Sequence, residues 1–217
     1  MRWPSLRVTR LLALAAVALN LAVAPFHGAA YFATEDGGED LMPHQEAWGS
    51  AVRGAFPGLY DGDAYGVYLM FGKLTAAAVA LFAVAFAGLH GAQDARLPPR
   101  RRTTGRVLVG AWALFALLAL GEYFTPFTDA LFLVMVPVLL TVLVLSGVYG
   151  VMTARAGILP RRVGWAFLAA AIAFIPLVIL AGHIPFGLYA FSFAWLATLW
   201  ALRAEDAEAD DALPSGA

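Results

Sequence analysis

The sequence predicts an all-α protein, a polytopic transmembrane helical bundle with six spans. Three observations predict it: the apolar content, the blocking of the apolar residues, and the placement of the arginines. Hydrophobic residues fill 61% of the 217 positions and charged residues 13%, against roughly 45–50% and about 25% in soluble domains. A soluble chain of this balance would expose apolar patches too large to stay dispersed. The apolar residues come in runs close to the roughly 20 residues that cross about 30 Å of hydrocarbon. Arginines cluster in every second connection between these runs.

The runs lie at about 11–33, 67–89, 107–125, 130–152, 163–181 and 186–202, and together they make one membrane domain over 1–203. Arg2, Arg7 and Arg10 precede the first. Arg96, Arg100, Arg101, Arg102 and Arg106 lie between the second and third, Arg155, Arg161 and Arg162 between the fourth and fifth, and Arg203 follows the sixth. Only Arg53 and Lys73 fall on the other side. Cytoplasmic connections are enriched in Lys and Arg, so both termini are expected in the cytoplasm. An Ala- and Arg-rich chain with a single lysine points to a high-GC bacterial genome, hence to the bacterial cytoplasmic (inner) membrane. The first run has an alternative as a cleaved signal peptide, with small residues at Gly28, Ala29 and Ala30. An uncleaved helix is favoured, because the run is longer than the about 7–15 residues of a signal core. Cleavage would leave five spans in the same orientation.

Between the first two spans, 34–66 is predicted to be an acidic extracytoplasmic loop. It contains a short helix near 43–56, with Leu41, Trp48, Val52, Ala55 and Phe56 on one face and Pro43 in its first turn. That helix either lies at the headgroup level or caps the bundle. The acidic, small-residue tail 204–217 is expected to be a disordered cytoplasmic segment.

Several chemistries are excluded. The chain has no cysteine, which removes disulfides, thiolate metal sites and thiol catalysis. A net charge of −1 gives no basic field for nucleic acid, and the run Arg100–Arg102 reads as an orientation signal or an anionic-lipid contact. No nucleophile elbow, phosphate loop or dinucleotide fingerprint is present. No catalytic residue, metal ligand or cofactor is assigned.

The polar candidates are Lys73, Glu122, His27, His183 and Asp129. Ionisable groups inside a membrane are costly and mark functional sites by default. Each also has a structural reading. Lys73 can snorkel to the headgroups or pair with Glu122. His27, His183, Glu122 and Asp129 all fall near the outer surface, where they either converge as proton or metal ligands or simply end helices. His90 suits a helix C-terminus, His44 a solvated loop, and Asp61-Gly62-Asp63 a turn. Pro137 and Pro176 lie within spans and free backbone carbonyls. Ser146, Gly147, Tyr149 and Gly150 form a strip for close helix packing, and Asn20, Thr75, Thr141 and Ser192 suit interhelical hydrogen bonds.

One stretch carries a resemblance. Ala156-Gly157-Ile158-Leu159-Pro160-Arg161-Arg162-Val163-Gly164-Trp165 resembles a cytoplasmic loop of uncharacterised bacterial six-helix integral membrane proteins, with the pattern Gly-x-Leu-Pro-Arg-x-x-Gly-Trp. The resemblance implies the architecture and carries no activity or site residue. Pro160 is expected to stop the fourth helix.

Three functions are carried forward in order. The first is a non-enzymatic accessory or interaction subunit, partnered by another membrane protein or a second copy within the lipid bilayer. The second is a small-solute or ion transporter, which expects Lys73 and Glu122 to line a cavity. The third is an intramembrane enzyme acting on a lipid or quinone, which expects His27, His183 and a carboxylate to converge.

Overall fold

A computed structural model describes residues 3–39 and 41–211, with side chains as far as Arg203. The protein is all-α. The spanning helices are α1 (Leu6–Tyr31), α4 (Ala64–Asp94), α5 (Pro99–Phe124), α6 (Thr128–Ala156), α7 (Arg161–Ala181) and α8 (Ile184–Asp211). These six are long and apolar enough to cross a membrane, α8 over Ile184–Arg203. The connection from α1 to α4 holds α2 (Glu35–Glu39), α3 (Pro43–Ala55) and a 3-10 turn at Pro57–Leu59.

Each spanning helix packs against the next in the chain, and α8 closes back on α1. The result is an up-and-down ring with two distinct ends. The capped end carries α2 and α3. The arginine end carries the chain start and the α4–α5 and α6–α7 connections.

The helices outrun their apolar cores because polar caps extend them. Ser5 Oγ accepts from Val8 N at 3.4 Å and starts α1. Asp63 accepts from Gly66 N at 2.7 Å and starts α4, so the Asp61-Gly62-Asp63 turn is also a helix cap. The α6–α7 loop corrects one expectation. Gly157, at φ 66°, ends α6 in the left-handed conformation that glycine adopts without a Cβ penalty, and Pro160 sits at the N-cap of α7. Gly164 does more than start α7. A Cβ on Gly150 would lie 2.6 Å from the Gly164 carbonyl oxygen, so α6 and α7 cross backbone to backbone. In lipid, where apolar transfer gives no driving force between helices, such close packing holds spans together. At the other end of α8, helical backbone continues through 204–211, where the sequence predicts disorder. That stretch contains Ala204, Glu205, Ala207, Glu208 and Ala209, all good helix formers. The last part of the predicted tail, 212–217, lies outside the described residues.

Aromatic rings fill the middle of the ring of helices. Phe82, Phe86, Trp112, Phe167, Phe174, Phe191 and Trp195 are each fully buried. Phe86 stacks on Trp112 at 4.9 Å between centroids and meets Trp195 edge-on at 5.3 Å. Trp112 meets Phe191 edge-on at 5.1 Å. Such pairs contribute about 0.5–1.5 kcal/mol each beyond the area they bury. This block separates two groups of buried ionisable residues, one at each end.

At the arginine end the polar residues are joined by ionic and hydrogen bonds, although His90 Nδ1 and Gln93 Oε1 have no hydrogen-bond partner. His90 is buried and packs edge-on against Trp3 and Tyr149, where the sequence suggests an ordinary helix-end cation. Its Nε2 lies 3.3 Å from Asp94. Arg106 donates to Asp94 at 2.8 Å, with Arg102 at 3.7 Å. Gln93 donates to the Tyr149 hydroxyl at 2.7 Å.

Candidate functional site

The capped end holds a cavity of about 370 Å³, within the roughly 300–1,000 Å³ of small-molecule sites. Five parts of the chain build it. On α1, His27 and Tyr31 are one turn apart and share a face. On α4, Tyr65, Tyr68 and Thr75 follow at three- and seven-residue steps, again one face. α5 ends in Glu122 and Tyr123, α6 begins with Thr128 and Asp129, and His183 occupies the turn from α7 to α8. Gly72 on α4 makes room for Tyr123, whose ring occupies the space a Cβ there would need.

His183 is set by the cap. Gly182 ends α7 at φ 79°, a backbone turn that strains any residue with a Cβ, and donates to Val178 O at 2.7 Å. From α3, Gln45 Nε2 donates to Ile179 O at 3.0 Å and His44 Nε2 lies 2.9 Å from Leu180 O. These bonds satisfy carbonyls that the end of α7 leaves open. Of the two places open to the loop helix, capping is the one observed. Its inner face is Gln45, Trp48, Gly49 and Val52, more polar than the predicted face. His44 is accordingly a cap partner and not merely a solvated loop residue.

Inside, aromatic rings and imidazoles interlock. His27 meets His183 edge-on with ring centroids 4.6 Å apart. Tyr31 stacks on His183 at 4.7 Å. Tyr68 lies 5.0 Å from His27 and 5.8 Å from Tyr123. The Tyr68 and Tyr123 hydroxyls are 3.4 Å apart. His27 Nδ1 lies 2.9 Å from the Thr75 hydroxyl. At the rim, Tyr65 donates to Thr128 at 3.3 Å, and Thr128 donates to the Glu122 carbonyl at 3.3 Å, tying α4, α6 and α5 together. Val79, Phe115, Ala119, Met135 and Leu188 form an apolar floor.

Among the buried side-chain atoms without a hydrogen-bond partner, three lie at or against this cavity: Nε2 of His27, Nε2 of His183 and Oε2 of Glu122. Glu122 is 2% exposed and lines the cavity. Burial pushes the His183 pKa from 6.5 down to about 3, because water is no longer available to solvate the imidazolium. His183 is therefore neutral near pH 7, with one ring nitrogen to donate and one to accept.

Of the candidates read from sequence, His183, Glu122 and Asp129 line this cavity, and His27 packs against His183 beside it. Asp129 stands exposed at the mouth. Lys73 does not join them. It is exposed, with Nζ 5.3 Å from the centre of the Phe124 ring, and no Lys73–Glu122 ion pair forms among the described residues. Thr75 serves His27, while Asn20 donates to Ser192 at 3.1 Å deeper in the bundle. Thr141 donates to the Pro137 carbonyl on an exposed face, so it makes no interhelical bond. Among the described residues no three His, Asp or Glu side chains converge as a metal site.

Sequence reasoning missed the tyrosines and Asp36, which also lies at the mouth. Tyr65 and Tyr68 were visible as a pair one turn apart at the start of a span, but aromatic residues at membrane interfaces have a ready explanation as anchors. The chain matches no known protein family, no curated protein and no solved structure.

Proposed function

We propose that this is a multi-pass protein of the bacterial cytoplasmic membrane, both termini inside, that takes a small solute from the outer face into the capped-end chamber, as a transporter open to the outside. The arginine distribution supports the orientation, since it places the capped end outward. The observation that carries the reading is the one-sided cavity. It lies at the capped end, is lined by Glu122 and His183, whose Oε2 and Nε2 have no hydrogen-bond partner, and stops at an aromatic block. Unpartnered buried polar atoms occur elsewhere in the bundle, but those of Glu122 and His183 belong to residues that line a cavity. Buried polar atoms left unpaired destabilise a fold, so their retention beside a cavity points to a ligand that pairs them.

The chain has no cysteine, which makes thiol labelling a clean test. Ala119→Cys on the cavity floor is expected to react with a membrane-impermeant thiol reagent from the outer side, and from the cytoplasmic side once turnover exposes the opposite opening. Reaction from the outer side alone, under every gradient tried, overturns transport and leaves a static receptor. The His27–His183 contact favours a second reading, proton transfer to a bound lipid or quinone head group.

A further inference from the structure

We propose that the solute is an organic cation, an amine or quaternary ammonium with an apolar body. The inference rests on the chamber being a solute site, and deepens it to a substrate class. Three features of the wall argue for positive charge. Its acidic side chains have no basic counterpart beyond neutral His183: Glu122 lies within, Asp36 and Asp129 at the mouth. The two basic side chains nearest this end are turned to other work. Lys73 lies over Phe124, and Arg53 donates to the Ala29 carbonyl at 2.7 Å and to Ser50 at 3.2 Å. Beside three threonines and His183, the remaining polar wall is tyrosine. Tyr31, Tyr65, Tyr68 and Tyr123 line the cavity, with Tyr31–Tyr68 and Tyr65–Tyr68 centroids 5.6 and 6.1 Å apart.

These features act together. A ring face attracts a cation within about 6 Å of its centre, and the attraction grows in a desolvated site. Glu122, 2% exposed with Oε2 unpartnered, lacks a positive neighbour, and an entering ammonium would supply one. An anion would meet three carboxylates and no counter-charge. The apolar floor of Val79, Phe115 and Leu188 accommodates a hydrocarbon body but offers nothing to a second charge. The same ammonium chemistry occurs in free amines and in choline-type lipid head groups.

The test uses the full chain in phosphatidylglycerol nanodiscs, carrying Ala119→Cys as reporter. Three ring-matched probes are compared for protection of the thiol: benzyltrimethylammonium, benzyl alcohol and phenylacetate. Protection by the cation at concentrations about tenfold lower than the alcohol, and none by the anion, is the expected result. Glu122→Gln should weaken cation protection about tenfold or more while leaving the alcohol unchanged. Asp129→Asn, at an exposed position, serves as a second variant that keeps the fold and weakens the cation by a smaller factor. Equal protection by alcohol and cation, or protection by phenylacetate, overturns the cation assignment while the solute site stands. A thiol the reagent never reaches overturns the solute site itself. Adding phosphatidylcholine assigns the source: competition with benzyltrimethylammonium identifies a lipid head group, and its absence a free solute.

Discussion

Asp94 and Glu122 stand at opposite ends of the same ring of helices, each sharing its end with buried histidine. At the arginine end Asp94 accepts from Arg106 and lies within 4 Å of His90 and Arg102. Tyr149 and Trp3 close around His90, and the charge is spent inside the protein. At the capped end Glu122 faces a cavity with no cation of the protein against it. The two ends use the same residue types, a carboxylate, histidine and tyrosine. What differs is whether basic residues arrive from the neighbouring helix. The α4–α5 connection brings Arg102 and Arg106 to Asp94, while the corresponding turns at the capped end bring none to Glu122.

Three experiments test this contrast between the ends. The largest effect is expected from Trp112→Ala, which removes the fully buried ring between the two ends. Thermal unfolding in detergent should show a loss of about 3–5 kcal/mol, and thiols introduced at the chamber floor should become reachable from the arginine end. A small loss with no change in access would mean that the aromatic block does not separate the regions.

Next are two matched neutralisations of opposite sign. Asp94→Asn removes the ion pair with exposed Arg106 and the acceptor beside buried His90, and should lower the melting temperature. Glu122→Gln removes an uncompensated carboxylate from a buried site and should stabilise the ligand-free protein by about 1 kcal/mol. Melting temperatures moving in the same direction for both variants would erase the distinction between a closed end and an open one.

The smallest effect concerns pH. His183 has a folded pKa near 3 against 6.5 for the free side chain. Between those values the unfolded chain holds the extra proton, so the His183 contribution is complete above pH 6.5 and declines as pH falls toward 3. The melting temperature should therefore fall more steeply between pH 7 and 5 in the parent protein than in His183→Asn. Parallel profiles would show that His183 is not held neutral by the fold.

Much of the architecture was legible in the chain because the membrane imposes it. Six apolar runs and alternating arginines are one-dimensional signals, and a bilayer admits few ways to satisfy a backbone other than helices. The loop helix at Pro43–Ala55 was also readable, from Pro43 and its spacing of apolar residues. The fate of single side chains was not. Lys73 and Glu122 sit at comparable depths in sequence, yet one faces outward and the other inward, a difference of helix rotation that packing sets. His90 and His183 both read as ordinary helix-end histidines. One became part of an ion-pair cluster and the other part of a cavity wall, according to which neighbours arrived from distant segments.

The membrane environment, the six apolar helices and the two charge-marked faces were all written in local composition, because burial in lipid depends on it. Packing brought Tyr31, Tyr68, Glu122, Tyr123 and His183 into one chamber, with His27 against its wall. Their meeting depends on α8 closing the ring against α1 and on α3 bonding the last carbonyls of α7. Both are contacts between residues far apart in the chain, formed through close packing and side-chain geometry that no local pattern encodes.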